Sequence, residues 1–119
     1  MRIGADYYPE HWEKERWKTD AEMMVKANIK VIRIGEFAWS LYEPEEGKYE
    51  FDWMDEALDF FGKYGIKVVM CTPSATPPKW MIDKYPDILQ NDIHGNPKLF
   101  GTRKHYCFNS ETYREKTKN

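Results

Sequence analysis

Two stretches of this chain repeat one pattern: "KANIKVI" from Lys26 to Ile32 and "KYGIKVV" from Lys63 to Val69, which begin 37 residues apart. In each, a residue suited to left-handed backbone, Asn28 or Gly65, separates a helical pattern from an apolar run. Upstream of the first joint, Trp17, Ala21, Met24 and Asn28 fall at helical spacing, and upstream of the second Met54, Ala57, Leu58 and Phe61 do the same. With a further apolar run at the amino terminus, the strands read Ile3 to Tyr7, Lys30 to Ile34 and Lys67 to Cys71, and the order is βαβαβ. Near-continuous apolar runs are the kind buried on both faces of a parallel sheet. An α/β chain of this pattern leads to an open doubly wound sheet or to a closed eight-stranded barrel.

The first strand is followed by "DYYPEHW", not by the glycine-rich turn that a nucleotide-binding open sheet wants, which sets that fold aside. A barrel takes about 250 residues. At 119 residues the chain suits one domain and, if it is a barrel, holds the first three strands and no more. Beyond the third strand, Thr76-Pro77-Pro78 offers a helix cap followed by prolines. "DIHGNPK" reads as a turn, and Asn109 or Ser110 as the cap of a last helix.

Composition narrows the partners. Aromatic residues make up 16% of the chain and 18 basic residues are interspersed with 20 acidic ones, so no basic face awaits a phosphate backbone and nucleic acid is not an expected partner. No signal-peptide core and no run of about 18 apolar residues is present, which points to the cytoplasm and away from a membrane. Two cysteines, Cys71 and Cys107, are too few for a secreted disulfide framework.

The strands end in polar and aromatic groups: Asp6, Tyr7 and Tyr8; Arg33, Glu36 and Trp39; Thr72 and Ser74. In parallel α/β folds the ligand site lies at those carboxyl ends. A guanidinium at such a place needs an anion or a polar surrounding. Arg33 with Glu36 reads as a structural ion pair, as a contact to a hydroxyl-rich ligand, or less well as a phosphate site, since no nest of glycines accompanies it. Trp39, Trp80, Tyr7 and Tyr8 are stacking candidates for a sugar face and equally candidates for the core. Glycosidic hydrolysis needs two carboxyl groups about 5 to 9 Å apart. Asp6, Glu10, Glu36 and Glu43 are available, but no acid and nucleophile pair stands out; Glu43 reads as a loop support and Glu45 and Glu46 as a solvated face. In "FGTRKHYCFNS", His105 reads as a surface histidine, Cys107 as a packed thiol, and the two together fall short of the four ligands zinc wants.

"YYPEHW" (Tyr7 to Trp12), "VIRIGEFAWSLYEPEEGKYEFDWMD" (Val31 to Asp55), "TPSATPPKWMIDKYPDIL" (Thr72 to Leu89) and "FGTRKHYCFNSETYRE" (Phe100 to Glu115) together resemble the amino-terminal part of bacterial β-galactosidases of glycoside hydrolase family 42. The resemblance implies the first three βα units of a truncated (β/α)8 TIM barrel, with residues 1–119 as the amino-terminal part of its catalytic domain. The implied activity is hydrolysis of terminal non-reducing β-D-galactosyl bonds with retention, through a galactosyl-enzyme intermediate. Arg33, Glu36 and Arg103 match family galactose contacts. Cys107 matches a cysteine that in some members binds structural zinc with three more cysteines further along. The family's acid/base and nucleophile glutamates lie beyond Asn119, on the fourth and seventh strands, so the chain is expected to be inactive alone. The parent's oligomeric state stays open, a homo-oligomer included. Rival readings are a retaining barrel glycosidase with another sugar preference, and a non-catalytic sugar-binding or assembly module pairing through an open third-strand edge.

Overall fold

A computed structural model of the chain describes residues 3–102 and 104–118. The elements run β1 (Ile3–Asp6), α1 (Lys14–Lys26), β2 (Ile29–Ile34), α2 (Trp39–Tyr42), α3 (Asp52–Lys63), β3 (Lys67–Met70), α4 (Lys79–Lys84) and α5 (Glu111–Lys116), with short 3-10 turns at Pro9–His11, Pro73–Ala75 and Pro86–Ile88. They divide into two compact units, one of Met1–Gly35 with Phe51–Cys71 and one of Glu36–Glu50 with Thr72–Asn119.

The first unit is the βαβαβ core. Its three strands are parallel in the order β1-β2-β3. Both expected joints form: Asn28 has φ 58° and Gly65 φ 70°, and the Ile66 N–H reaches back to the Phe61 carbonyl at 3.2 Å, the bond pattern that closes a helix through a left-handed residue. Helix α1 packs on β2 and α3 on β3. The buried faces hold most of the expected residues, Trp17, Ala21 and Met24 from α1 and Met54, Ala57 and Phe61 from α3, while Leu58 is half-buried and Asn28 is exposed. Phe61 gathers Tyr7 edge-on at 5.2 Å and Trp17 at 6.1 Å, and the Trp17 indole N–H is used by the Pro9 carbonyl at 3.0 Å. Gly4 allows β1 to lie close to β2: a Cβ there would sit 3.1 Å from the Val31 carbonyl oxygen.

Burial on both faces does not extend to the whole sheet. Ile32 and Ile34 of the central strand are fully buried, but Ile3 is 46% exposed, Val69 51% and Met70 52%. Among the described residues β1 and β3 are the outer strands, each paired on one side only, whereas β2 is paired on both.

The second unit is built around an aromatic cluster of Trp39, Met81, Ile82, Ile88, Tyr106 and Tyr113, in which Tyr106 stacks on Tyr113 at 4.6 Å. Backbone bonds from Gln90 to the His105 carbonyl and from Cys107 to the Ile88 carbonyl, each 2.7 Å, bring residues 88–90 beside 105–107. Between them the expected turn forms, with Asp92 accepting from the His94 and Asn96 N–H groups. Ser110 caps α5 by accepting from Tyr113 N–H at 3.2 Å. Thr76 does not cap α4: the cap position belongs to Pro78, whose fixed φ leads into the helix, and the Thr76 hydroxyl is buried with no hydrogen-bond partner among the described residues. Glu46 is not a solvated face either. It takes hydrogen bonds from Lys84, Lys116 and the Tyr85 hydroxyl, tying its loop to α4 and α5, and these donors pull its pKa down to about 2.

Two outcomes follow for stability. Gly65→Ala is expected to cost about 1 kcal/mol in urea unfolding, because the positive φ is strained for any residue with a Cβ while nothing lies within 4 Å to clash with one. Glu46, its folded pKa depressed, contributes stability that is complete above its ordinary 4.5 and lost as pH falls towards about 2. The stability gap between the unaltered chain and Glu46→Gln is therefore expected to close across that window.

Candidate functional site

The parallel register of the first two strands sets Asp6 directly beside Arg33. In-register neighbours on adjacent strands present side chains to the same face, and here they meet as a fork: Arg33 Nε donates to Asp6 Oδ1 at 2.8 Å and Nη2 donates to Oδ2 at 3.3 Å. The bond from Arg33, with its positive charge, holds the Asp6 carboxyl below the usual carboxylate range. Both side chains meet water, at 41% and 55% exposure, so the pair sits at the surface of its unit and is not a buried ion pair. The next residue reinforces the joint, since Tyr7 N–H donates to the Arg33 carbonyl at 3.0 Å. Tyr7 is anchored in turn: its ring is buried and its hydroxyl donates to Asp20 at 2.9 Å, and burial together with that carboxylate pushes the phenol pKa up.

Asp6 as the partner of Arg33 went unread in the sequence, although each is the last residue but one of its expected strand, Ile3 to Tyr7 and Lys30 to Ile34. Glu36 belongs to the second unit, where it is half-buried just after Gly35. Arg103 lies outside the described residues. Cys107 is a half-buried thiol of the second unit, Cys71 a half-buried thiol of the first, and the two are not bridged.

Three of the four stacking candidates are engaged elsewhere. Trp39 is buried in the aromatic cluster with its indole N–H on Glu43 at 2.9 Å, Trp80 donates to the Glu43 carbonyl at 2.8 Å, and Tyr7 is held as described. Tyr8 is half-buried and stacks on His11 at 5.3 Å. Glu43 is a loop support, buried and also accepting from the Gly47 N–H at 2.8 Å.

Asp6 and Glu10 are pushed in opposite directions, a pattern that can mark an acid and base pair. Here it does not. Burial raises the Glu10 pKa, but both its carboxyl oxygens are shielded and lack a hydrogen-bond partner among the described residues, so they offer no face to a substrate.

His105 is buried at 1% exposure, contrary to a surface histidine. Its ring folds back so that Nδ1 lies 2.7 Å from the Thr102 carbonyl oxygen. A carbonyl only accepts, so the proton resides on Nδ1. Among the described residues no three His, Cys, Asp or Glu side chains gather to hold a metal ion, and Cys107 brings one thiol to a site that wants four ligands. Alone, these residues do not fit zinc.

The first unit also carries an open groove of about 430 Å³ between the end of β1 and helix α1. Several of its polar groups have partners: Asp20 accepts from Tyr7 and from Arg16 Nε at 3.2 Å, the Arg16 guanidinium lies over the Trp12 ring at 4.4 Å, and Asp6 is taken by Arg33. What remains is largely the apolar surface of Met23, Met24 and Ala27, which suits packing better than the recognition of hydroxyl groups.

Residues 6–119 match the model of glycoside hydrolase family 42, described as "Beta-galactosidase". The chain is 51% identical over 117 residues to a β-galactosidase of Haloferax lucentense and 54% identical over 116 residues to one of Thermus thermophilus, covering 98% of this chain and 18% of each relative. Among solved structures, a β-galactosidase of Halorubrum lacusprofundi matches with a TM-score of 0.92 at 48% identity, over 98% of this chain and 18% of that one. One from Bacillus circulans matches with a TM-score of 0.94 at 36% identity, over 99% and 18%. The chain thus spans less than a fifth of the length of these relatives.

Glu43→Ala strips the acceptor from the buried Trp39 indole N–H and is expected to destabilise the second unit by about 1–3 kcal/mol. Glu43→Gln keeps one carbonyl acceptor and is expected to lose less, with chemical denaturation midpoints as the measure.

Proposed function

Because the chain belongs to glycoside hydrolase family 42, we propose that it is one segment of a longer polypeptide that hydrolyses terminal non-reducing β-D-galactosyl bonds with retention of configuration. The observation that carries this reading is Arg33 at the carboxyl end of the central parallel strand, held at the surface instead of being consumed in the core. In a parallel α/β fold that end is where substrates bind. Donors of a guanidinium suit the hydroxyl groups of a sugar. In this reading the sheet is the first three strands of a (β/α)8 barrel, and Arg33, Glu36 and Arg103 contact galactose.

The two glutamates that retention requires are supplied by strands after Asn119. One protonates the leaving oxygen and then activates water; the other forms the covalent galactosyl intermediate. Neither role falls to Asp6, Glu43 or Glu10: Asp6 is bound by Arg33, Glu43 by an indole and a backbone N–H, and the Glu10 oxygens are shielded. Cys107 gives one thiolate to a structural zinc site completed by cysteines of the longer polypeptide. We place the protein in the cytoplasm, a reading supported by two unbridged thiols, and no described helix is long and apolar enough to cross a membrane.

One observation favours a second reading. The half-exposed Val69 and Met70 on the edge strand β3 suit a module that pairs with another copy through that edge.

The purified 119-residue chain is expected to release no nitrophenol from a nitrophenyl β-galactoside, while the longer polypeptide does. In the latter, Arg33→Ala is expected to lower kcat/KM by roughly 10- to 100-fold, the scale of a lost hydrogen bond to a charged group. Release by the short chain overturns its inactivity, an unchanged kcat/KM overturns the role of Arg33, and a dimer of the short chain with saturable galactose binding favours the module.

A further inference from the structure

Resting on the reading of Arg33 as a sugar contact, we propose that Asp6 is its positioning residue: the carboxylate, set beside Arg33 by strand register, fixes the plane and direction of the guanidinium that meets the sugar.

An arginine at a surface has a long stem with many rotamers, and a ligand that must first order it binds more weakly. An orienting partner removes that loss before binding. Asp6 has the geometry for it. The contact is two-pronged, at 2.8 and 3.3 Å, and a fork between a planar guanidinium and a planar carboxylate sets orientation as well as distance. It engages the guanidinium through Nε and Nη2.

The carboxylate is itself held by rigid elements. Asp6 ends β1 in register with Arg33, and the Tyr7 N–H to the Arg33 carbonyl locks the two strand ends at the same level. Tyr7 is then pinned by Asp20 from α1 and by the Phe61 ring from α3. Side chain and backbone of Arg33 are therefore gripped in turn by Asp6, the last residue of β1, and by Tyr7, the residue after it. The exposure of the pair argues against a purely structural duty, since an ion pair in water contributes little to folding.

The test is a double-mutant cycle in the full-length polypeptide that carries this segment, read as kcat/KM for a nitrophenyl β-galactoside with kcat and KM separated. Asp6→Ala is expected to lower kcat/KM roughly tenfold or more, the scale on which an orienting partner is missed. Asp6→Asn, isosteric and keeping one carbonyl acceptor, is expected to fall between Asp6→Ala and the unaltered protein. On an Arg33→Ala background neither change has a further effect, because a residue acting through Arg33 has nothing left to act on. An equal loss on both backgrounds overturns the proposal and makes Asp6 an independent contact or a folding residue. A harmful Arg33→Ala with a harmless Asp6→Asn and Asp6→Ala overturns it as well, while leaving Arg33 as a sugar contact. If Arg33→Ala leaves kcat/KM unchanged, the sugar contact itself fails and the positioning role with it. Urea midpoints of each variant separate loss of fold from loss of orientation.

Discussion

A parallel strand cannot return its chain to its neighbour through a tight turn, and this constraint organises the first unit. Each crossover must run through a helix, so every strand enters the sheet at the same end and leaves at the other. The two left-handed residues that convert helix to strand, Asn28 and Gly65, occupy equivalent places for that reason. Polar residues placed directly after the apolar runs then collect along one rim. The Asp6 and Arg33 fork is the most direct result: two residues far apart in sequence become lateral neighbours because the register, after a shift between Ile3 and Gly4, pairs them.

The second unit solves a different problem. Its described residues form short helices, 3-10 turns and isolated bridges and no sheet, so its polar anchors matter more. Glu43 and Glu46 stand three residues apart in one loop and have different duties. Glu43 is buried, takes an indole and a backbone N–H on its carboxylate, and offers its carbonyl to a second indole. Glu46 sits nearer water and draws two lysines and a tyrosine onto the same carboxylate. One fixes the loop from within, and the other fastens it to the helices that follow.

These contrasts explain what sequence could and could not convey. Strand and helix identities were legible because period and punctuation are local: Met54, Ala57 and Phe61 lie on one helical face whatever surrounds them. The cap at Ser110 and the turn at Asp92 are local too. The partners of Arg33 and Glu46 were missed, because each depends on which distant backbone arrives beside it. Trp39 follows a strand end, as a sugar platform would, but the cluster made by Tyr106 and Tyr113 buries it. Thr76 had the right chemistry for a cap and the wrong place, displaced by a proline two residues later. Of the residues matched to galactose contacts, Arg33 is displayed by its strand, Glu36 lies in the other unit, and Arg103 falls outside the described residues.

The hydrogen bonds of the tryptophans carry a practical consequence. Trp17 of the first unit donates its indole N–H to a proline carbonyl, while Trp39 and Trp80 of the second both donate to Glu43, one to its carboxylate and one to its carbonyl. Each unit therefore holds its own tryptophans, Trp12, Trp17 and Trp53 in the first and Trp39 and Trp80 in the second. Replacing Trp39 and Trp80 by phenylalanine removes the emission of the second unit's two indoles, so the optical signature of its loosening can be told apart from that of the sheet.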